Sequence, residues 1–253
     1  MRGNVKLHTF GQPENPALVL LHGIGIAHRL WTRQIECFQL SHFVIAPDID
    51  GLAGRACPGG TDISDLAKIL EEAIGSQSFN SVAVCGISAG ASLALVLAAR
   101  MGPRLNRLVL SAPHARAPRL PFGLQIAICN LLPENALVAI SKKSVSNDPE
   151  IEAFAAEDCK SLGKPGLLAA MNMLWRLDLR NELGGVVAPT TILCGEQDRV
   201  NVPAARAIAK SLPDARLWIE PEAGHLWNVQ APVRFNEVLR QALAASIGHR
   251  PQG

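Results

Sequence analysis

No run of lysine or arginine and no acidic tail marks this 253-residue chain, and its 24 basic and 22 acidic side chains leave a formal charge of only +2. Such a balance offers no electrostatic footprint for nucleic acid or for an anionic membrane surface. No uninterrupted apolar run approaches the roughly 20 residues that a spanning helix needs. The first ten residues lack the apolar core of a secretion signal. The six cysteines, at 37, 57, 85, 129, 159 and 194, include no Cys-x-x-Cys pair. Cys85 and Cys194 lie inside apolar runs, where a thiol behaves as a small hydrophobe, so neither a metal nor a disulfide framework is expected. Internal repeats and low-complexity tracts are missing too. There is no tyrosine at all, which removes any mechanism that rests on a phenol. These absences together point to a soluble protein of a reducing compartment, the cytoplasm, acting on a small molecule without nucleic acid, membrane or cofactor. Oligomeric state is left open.

What is present alternates. Residues 5–10 suit a short strand, and Gly11, Pro13 and Pro16 punctuate the turn after it. Residues 17–22 form a continuous apolar run of the kind buried on both faces of a sheet. A helical period over 27–40 follows, through Leu30, Trp31, Ile35 and Phe38, and then a second buried strand over 43–49. Thr61 is a candidate N-cap for a helix whose inward stripe is Ile63, Leu66, Leu70 and Ile74. A third strand begins at Val82, a helix starts after residue 90, and a further strand covers 107–111. This strand–helix alternation predicts an α/β fold with a mostly parallel, doubly wound sheet.

The alternation lapses between residues 114 and 183. Prolines at 118, 121, 133, 149 and 165 divide this stretch into helical pieces over 120–132, 134–140, 149–162 and 167–177. An insertion of this size after a strand reads as a helical cap. The domain division is therefore 1–113 with 184–253 for the core, and 114–183 for the cap. Strands resume over 189–194 and 215–219, with a helix over 204–211 between them and a closing helix over 232–247. The tail from 248 to 253 is expected to be disordered.

Chemistry in a parallel sheet gathers at the carboxyl ends of its strands. Four features fall there. Gly86-Ile87-Ser88-Ala89-Gly90 turns a strand sharply into a helix, as in the Gly-x-Ser-x-Gly nucleophile elbow. Asp198 follows the 189–194 strand, His225 follows the 215–219 strand, and His22-Gly23-Ile24-Gly25 follows the 17–22 strand. A serine hydroxyl needs a base within reach, histidine suits that task near neutrality, and a carboxylate fixes the histidine's tautomer. Taken singly, Ser88 reads equally as a helix N-cap, Asp198 as a turn-former and His225 as a loop residue. Jointly, in the order Ser…Asp…His, they read as a catalytic triad. The N–H groups of Ala89 and Ile24 are the expected oxyanion donors, and His22 is expected to brace its turn rather than react. Apolar cap residues, among them Trp175 and Met171, together with Trp227 beyond His225, are candidates to line a substrate pocket.

On these motifs the chain resembles the α/β-hydrolase fold superfamily over almost its whole length. Residues 178–183 and 224–236 are similar in detail to the 3-oxoadipate enol-lactonase-like hydrolases, a resemblance that implies cofactor-free opening of small, largely apolar esters or lactones through an acyl-enzyme. Two departures stand out. There is room for only one or two strands before Leu18, so the antiparallel edge of the sheet is expected to be reduced. The loop after the 43–49 strand reads Asp48-Ile49-Asp50-Gly51-Leu52-Ala53-Gly54-Arg55-Ala56, where the family's loop resembles D-x-P-G-x-G-x-S; Asp50 replaces the expected proline and the serine is absent. Serine at position 88 argues against the dehalogenases and epoxide hydrolases of the fold, which use aspartate, and the latter also use cap tyrosines. C–C bond hydrolases, lyases, acyltransferases and receptor-like members retain a similar triad, so the residues leave them open.

Overall fold

The computed structural model describes residues 4–57, 62–75, 79, 82–145 and 148–244. The proposed cap at Thr61 and the tail at 248–253 lie outside them. β1 (Val5–Phe10) leads through a turn into β2 (Ala17–Leu21), which is buried along its whole length. A 3-10 turn, His28–Trp31, then runs into α1 (Thr32–Phe38), and the chain returns as β3 (Phe43–Ile49). The continuous helix expected over 27–40 is thus shorter and begins later. Ala27 is extended, with φ −82° and ψ −155°, and its N–H is bound by the carboxylate of Asp158 at 2.9 Å, so it does not enter a helical turn.

α2 (Ile63–Gly75) buries Ile63, Leu66, Ala67, Leu70 and Ile74 on one side, the spacing an amphipathic helix requires. β4 (Val82–Ile87), α3 (Ala89–Met101) and β5 (Leu105–Ser111) follow, and α3 is apolar nearly all round because it is enclosed. Between β5 and β6, in the stretch expected to form a cap, lie α4 (Arg119–Leu131), α5 (Glu134–Val145) and α6 (Pro149–Arg176). α6 is broken at Gly163, whose φ of 67° and ψ of 164° are not helical. Pro165 sits in the first turn after that break, where its missing N–H leaves no helical bond unmade. The two helices expected over 149–162 and 167–177 are thus separate helices that meet at a kink at Gly163.

β6 (Thr190–Gly195), α7 (Val202–Ser211), β7 (Ala215–Glu220), α8 (Trp227–Gln230) and α9 (Pro232–Ala244) complete the described chain. The strand order is β1-β3-β2-β4-β5-β6-β7; every neighbouring pair is parallel except β1 with β3. One antiparallel strand precedes β2, in keeping with the reduced edge. Two apolar layers fill the faces of the sheet, one under α2, α3 and α7, the other around Trp31, Phe38, Trp227 and Phe235. The inserted helices pack into both apolar layers, and polar contacts between them and the rest of the chain include two groups. Where the insertion begins and ends, Arg116 bridges Asp178, and the Leu179 N–H reaches the Ala115 carbonyl at 2.7 Å. Further along, Arg29 joins Asp158 and Glu157 of α6 at 2.5 and 2.7 Å and lies over the Phe154 ring.

Candidate active site

After a register shift between Val82 and Ala83, β4 and β5 are in register from Ala83 to Ile87, and the Ser88 N–H continues the ladder to the Ser111 carbonyl at 2.9 Å. The next residue must start α3, and the chain makes that reversal at Ser88 with φ 55° and ψ −119°. A non-glycine residue in this region is strained, and the strain projects its side chain out of the turn. The flanking glycines are dictated by close approach. A Cβ on Gly86 would strike the backbone of Gly90, and one on Gly90 would strike the carbonyl oxygens of Leu21 and His22. The same proximity sets the turn after β2 against the elbow: a Cβ on Gly23 would stand 3.5 Å from the Cβ of Ser88.

His22 holds that turn from inside. Its Nδ1 lies 2.8 Å from the Gly23 carbonyl, and its Nε2 accepts the Ile49 N–H at 3.1 Å. These bonds fix the tautomer as Nδ1–H. Complete burial lowers the pKa of His22, so the ring stays neutral, as a brace requires. The Gly25 N–H is bound to the Leu52 carbonyl at 2.9 Å and is thereby removed from the set of available donors. Ile24 and Ala89 are the two adjacent residues of the turn and the helix start. Ile24 is partly buried against the core, and Ala89 opens α3.

At the far strands, Gly195 ends β6 so closely against the histidine loop that a Cβ there would strike the Ala223 and Gly224 carbonyls. Asp198 and His225 meet across this contact, with Oδ2 of the acid 2.6 Å from Nδ1 of the imidazole. The carboxylate is nearly buried, at 8% exposure, whereas the imidazole is 39% exposed. Burial alone would raise the pKa of Asp198, but hydrogen bonds from His225 and Asn201 outweigh it and hold the pKa below the usual carboxylate value. Asn201, placed just ahead of α7, donates its amide to the same Oδ2 at 2.6 Å. Among the described residues, no hydrogen bond is made by Ser88 Oγ.

Two residues of this neighbourhood escaped the reading of the sequence. Asn201 is one; its only signal was its place three residues beyond Asp198. His114 is the other. It follows β5, the strand between the serine strand and the acid strand, and its carbonyl is held by Ser92 Oγ of α3 at 2.8 Å. Its Nε2 is buried without a hydrogen-bond partner. Burial, followed by the charge of His225, pushes its pKa down to about 4, so it is neutral near pH 7.

The pocket candidates divide. Met171 is buried in the second half of α6. Trp175 lies under the Arg119 guanidinium, which is 5.2 Å from its ring, and close to Gly123 of α4, with its indole nitrogen buried and unpaired. Trp227 is fully buried and meets Phe235 edge-on at 4.7 Å between ring centroids. It is a core residue of the layer beneath the histidine loop. Where a pocket-lining residue was expected, the Trp227 ring is enclosed by packing against the closing helix and presents no surface to a ligand in this structure.

A strand–Ser–helix elbow at the centre of a mostly parallel sheet, a turn packed onto it, and a hydrogen-bonded Asp–His pair beyond β6 and β7 define the class of α/β-hydrolases. The chain belongs to the alpha/beta hydrolase family, whose model matches residues 18–238. It is 25% identical to 3-oxoadipate enol-lactonase 2 of Acinetobacter baylyi, over 93% of this chain and 91% of that one. It is also 27% identical to RutD of Cronobacter turicensis, a protein named for carbamate hydrolysis, over 92% of each. Among solved structures it resembles a hydrolase from Pseudomonas aeruginosa, at 24% identity and TM-score 0.84, over 96% of this chain and 95% of that one. The enol-lactonase of Burkholderia xenovorans is similar in fold, at 21% identity and TM-score 0.83, over 95% of this chain and 96% of that one. No helix among the described residues is long and apolar enough to cross a membrane.

Proposed function

We propose that the protein is a cofactor-independent serine hydrolase of small, largely apolar esters or lactones, working through an acyl-enzyme. The observation that carries this reading is the Asp198–His225 pair. A buried carboxylate bonded to Nδ1 leaves Nε2 of a half-exposed imidazole as the basic nitrogen. Ser88 Oγ attacks the substrate carbonyl and passes its proton to His225 Nε2. The tetrahedral oxyanion takes the N–H groups of Ala89 and Ile24, the former strengthened by the dipole of α3. His225 then returns the proton to the leaving oxygen, which in a lactone stays tethered to the acyl group. A water deprotonated by His225 attacks the acyl-enzyme, Ser88 recovers its proton and the acid departs. Asp198 stays ionised throughout and stabilises the imidazolium, with Asn201 holding the carboxylate in place. Met171 and Trp175 supply apolar cap surface to the substrate. The name of the enol-lactonase relative favours lactone opening; the apolar character of the substrate rests on the side chains alone.

The test is turnover of a short-chain aryl ester, a lactone panel and labelling by a fluorophosphonate. The wild type turns over repeatedly and is labelled once, while Ser88→Ala retains its circular dichroism spectrum but loses both properties. An unlabelled wild type, or wild-type turnover in the variant, would sink the mechanism.

A further inference from the structure

Away from Ser88, three side chains distant in sequence meet at the edge of the sheet. The β1–β3 register pairs His8 with Ala46, so Asp48, two residues on, stands diagonally across on the same face. The 3-10 turn then brings His28 onto the same carboxylate. His8 Nε2 lies 2.8 Å from Asp48 Oδ2, and His28 Nδ1 lies 2.6 Å from Asp48 Oδ1. The two imidazoles stack at 3.7 Å between centroids with their planes 15° apart. All three ligand atoms fall within 4.8 Å of one another.

We propose that His8 Nε2, His28 Nδ1 and the Asp48 carboxylate form a binding site for a divalent transition ion of the zinc type. Two imidazole nitrogens and one carboxylate make a donor set that suits borderline ions and disfavours calcium and magnesium, which take oxygen ligands. Zinc holds such donors at about 2.0–2.2 Å and completes its tetrahedron with water. The side chains are 20–26% exposed, enough for an ion and a water to enter. Each imidazole lone pair lies in its own ring plane, so binding opens the stack by tilting the rings toward a common point.

The position gives the site a consequence. Asp48 Oδ1 also accepts the His28 N–H at 3.0 Å, and the adjacent Ile49 N–H is the bond that orients His22. An ion here ties β1 and the segment after the Ile24 turn to the end of β3. It acts as a structural clamp behind the proposed oxyanion donors and takes no part in the chemistry at Ser88.

The test uses the full chain freed of any affinity tag. Zinc affinity is measured against a chromophoric chelator for the wild type, His8→Ala and His28→Ala, with magnesium as the control ion. Imidazole nitrogen spectra of the wild type are recorded with and without zinc. The expectation is one tight equivalent in the wild type, weakened at least about tenfold in each variant, no response to magnesium, and zinc-induced shifts confined to two of the seven histidines. Should either variant fail to fold, the wild-type spectra decide. Equal affinities in all three proteins, as thiol binding would give, or shifts at histidines other than His8 and His28, would overturn the proposal.

Discussion

At the scale of single residues, Ser88 is held in a backbone conformation that costs about 1–3 kcal/mol for a side chain other than glycine. Its φ of 55° and ψ of −119° match the first central position of a type II′ turn, where glycine is favoured. The strain is independent of the hydroxyl, so Ser88→Ala retains it. Ser88→Gly relieves it, with some of the gain offset by the greater entropy of glycine in the unfolded chain. The prediction is that Ser88→Gly is more stable than Ser88→Ala by about 1 kcal/mol, measured by urea unfolding of both variants. Equal midpoints would mean that the strain is shed elsewhere in the elbow. Asn201 illustrates a different use of one side chain: its amide adds a second donor to Asp198 Oδ2, so the acid is held by more than the histidine it orients.

Between elements, the helical insertion between β5 and β6 joins both apolar layers of the sheet, through Leu174 and Leu177 on one side and Ile151 and Ala155 on the other, and polar contacts pin it in place. Asp158 is the centre of one of them. It is only 7% exposed, and it takes the Ala27 N–H and the Arg29 guanidinium at once. Asp158→Ala leaves that N–H buried without a partner and leaves Arg29 with only the exposed Glu157. A loss of about 1–3 kcal/mol is expected, seen as a melting point lower by several degrees and as faster proteolysis within residues 119–176. Unchanged proteolysis would place the fastening of the insertion elsewhere. The same contact explains where the sequence misleads. The apolar spacing from Leu30 to Phe38 marks a helix, but the carboxylate that takes Ala27 away from it lies 131 residues later. Strands were legible because burial on both faces leaves continuous apolar runs, and Ser88, Asp198 and His225 because each sits at a strand end. His114 also follows a strand, but it has no place in the Ser…Asp…His order, and a lone histidine after a proline signals nothing until the sheet places β5 between β4 and β6. His8, His28 and Asp48 were illegible for the same reason. Their meeting depends on strand register and on one 3-10 turn.

At the scale of the whole molecule, buried histidines set the response to acid. His22 and His114 are neutral in the folded chain, both displaced downward by burial, the latter from near 6.5 to about 4. Half-buried His42 is lowered for the same reason. The unfolded chain protonates these rings at their ordinary value, so between about pH 6.5 and pH 4 it binds more protons than the folded chain does. Stability therefore rises with pH across that window and is lost as pH falls through it. His114 alone accounts for up to about 3 kcal/mol of the change, at 1.36 kcal/mol for each unit of displacement. Asp198 acts lower down. Its folded pKa is depressed, so its contribution is intact above the ordinary aspartate value near 3.8 and disappears as pH falls below it. The two groups thus separate on the pH axis, although they lie close together in the site. Guanidinium unfolding at intervals from pH 7.5 to pH 4 is expected to give a continuous decline in the wild type, and a shallower one in His114→Asn, which has no ring to protonate. Parallel slopes in the two proteins would show that the His114 ring finds a proton acceptor in the folded state, in contradiction to its unpaired Nε2.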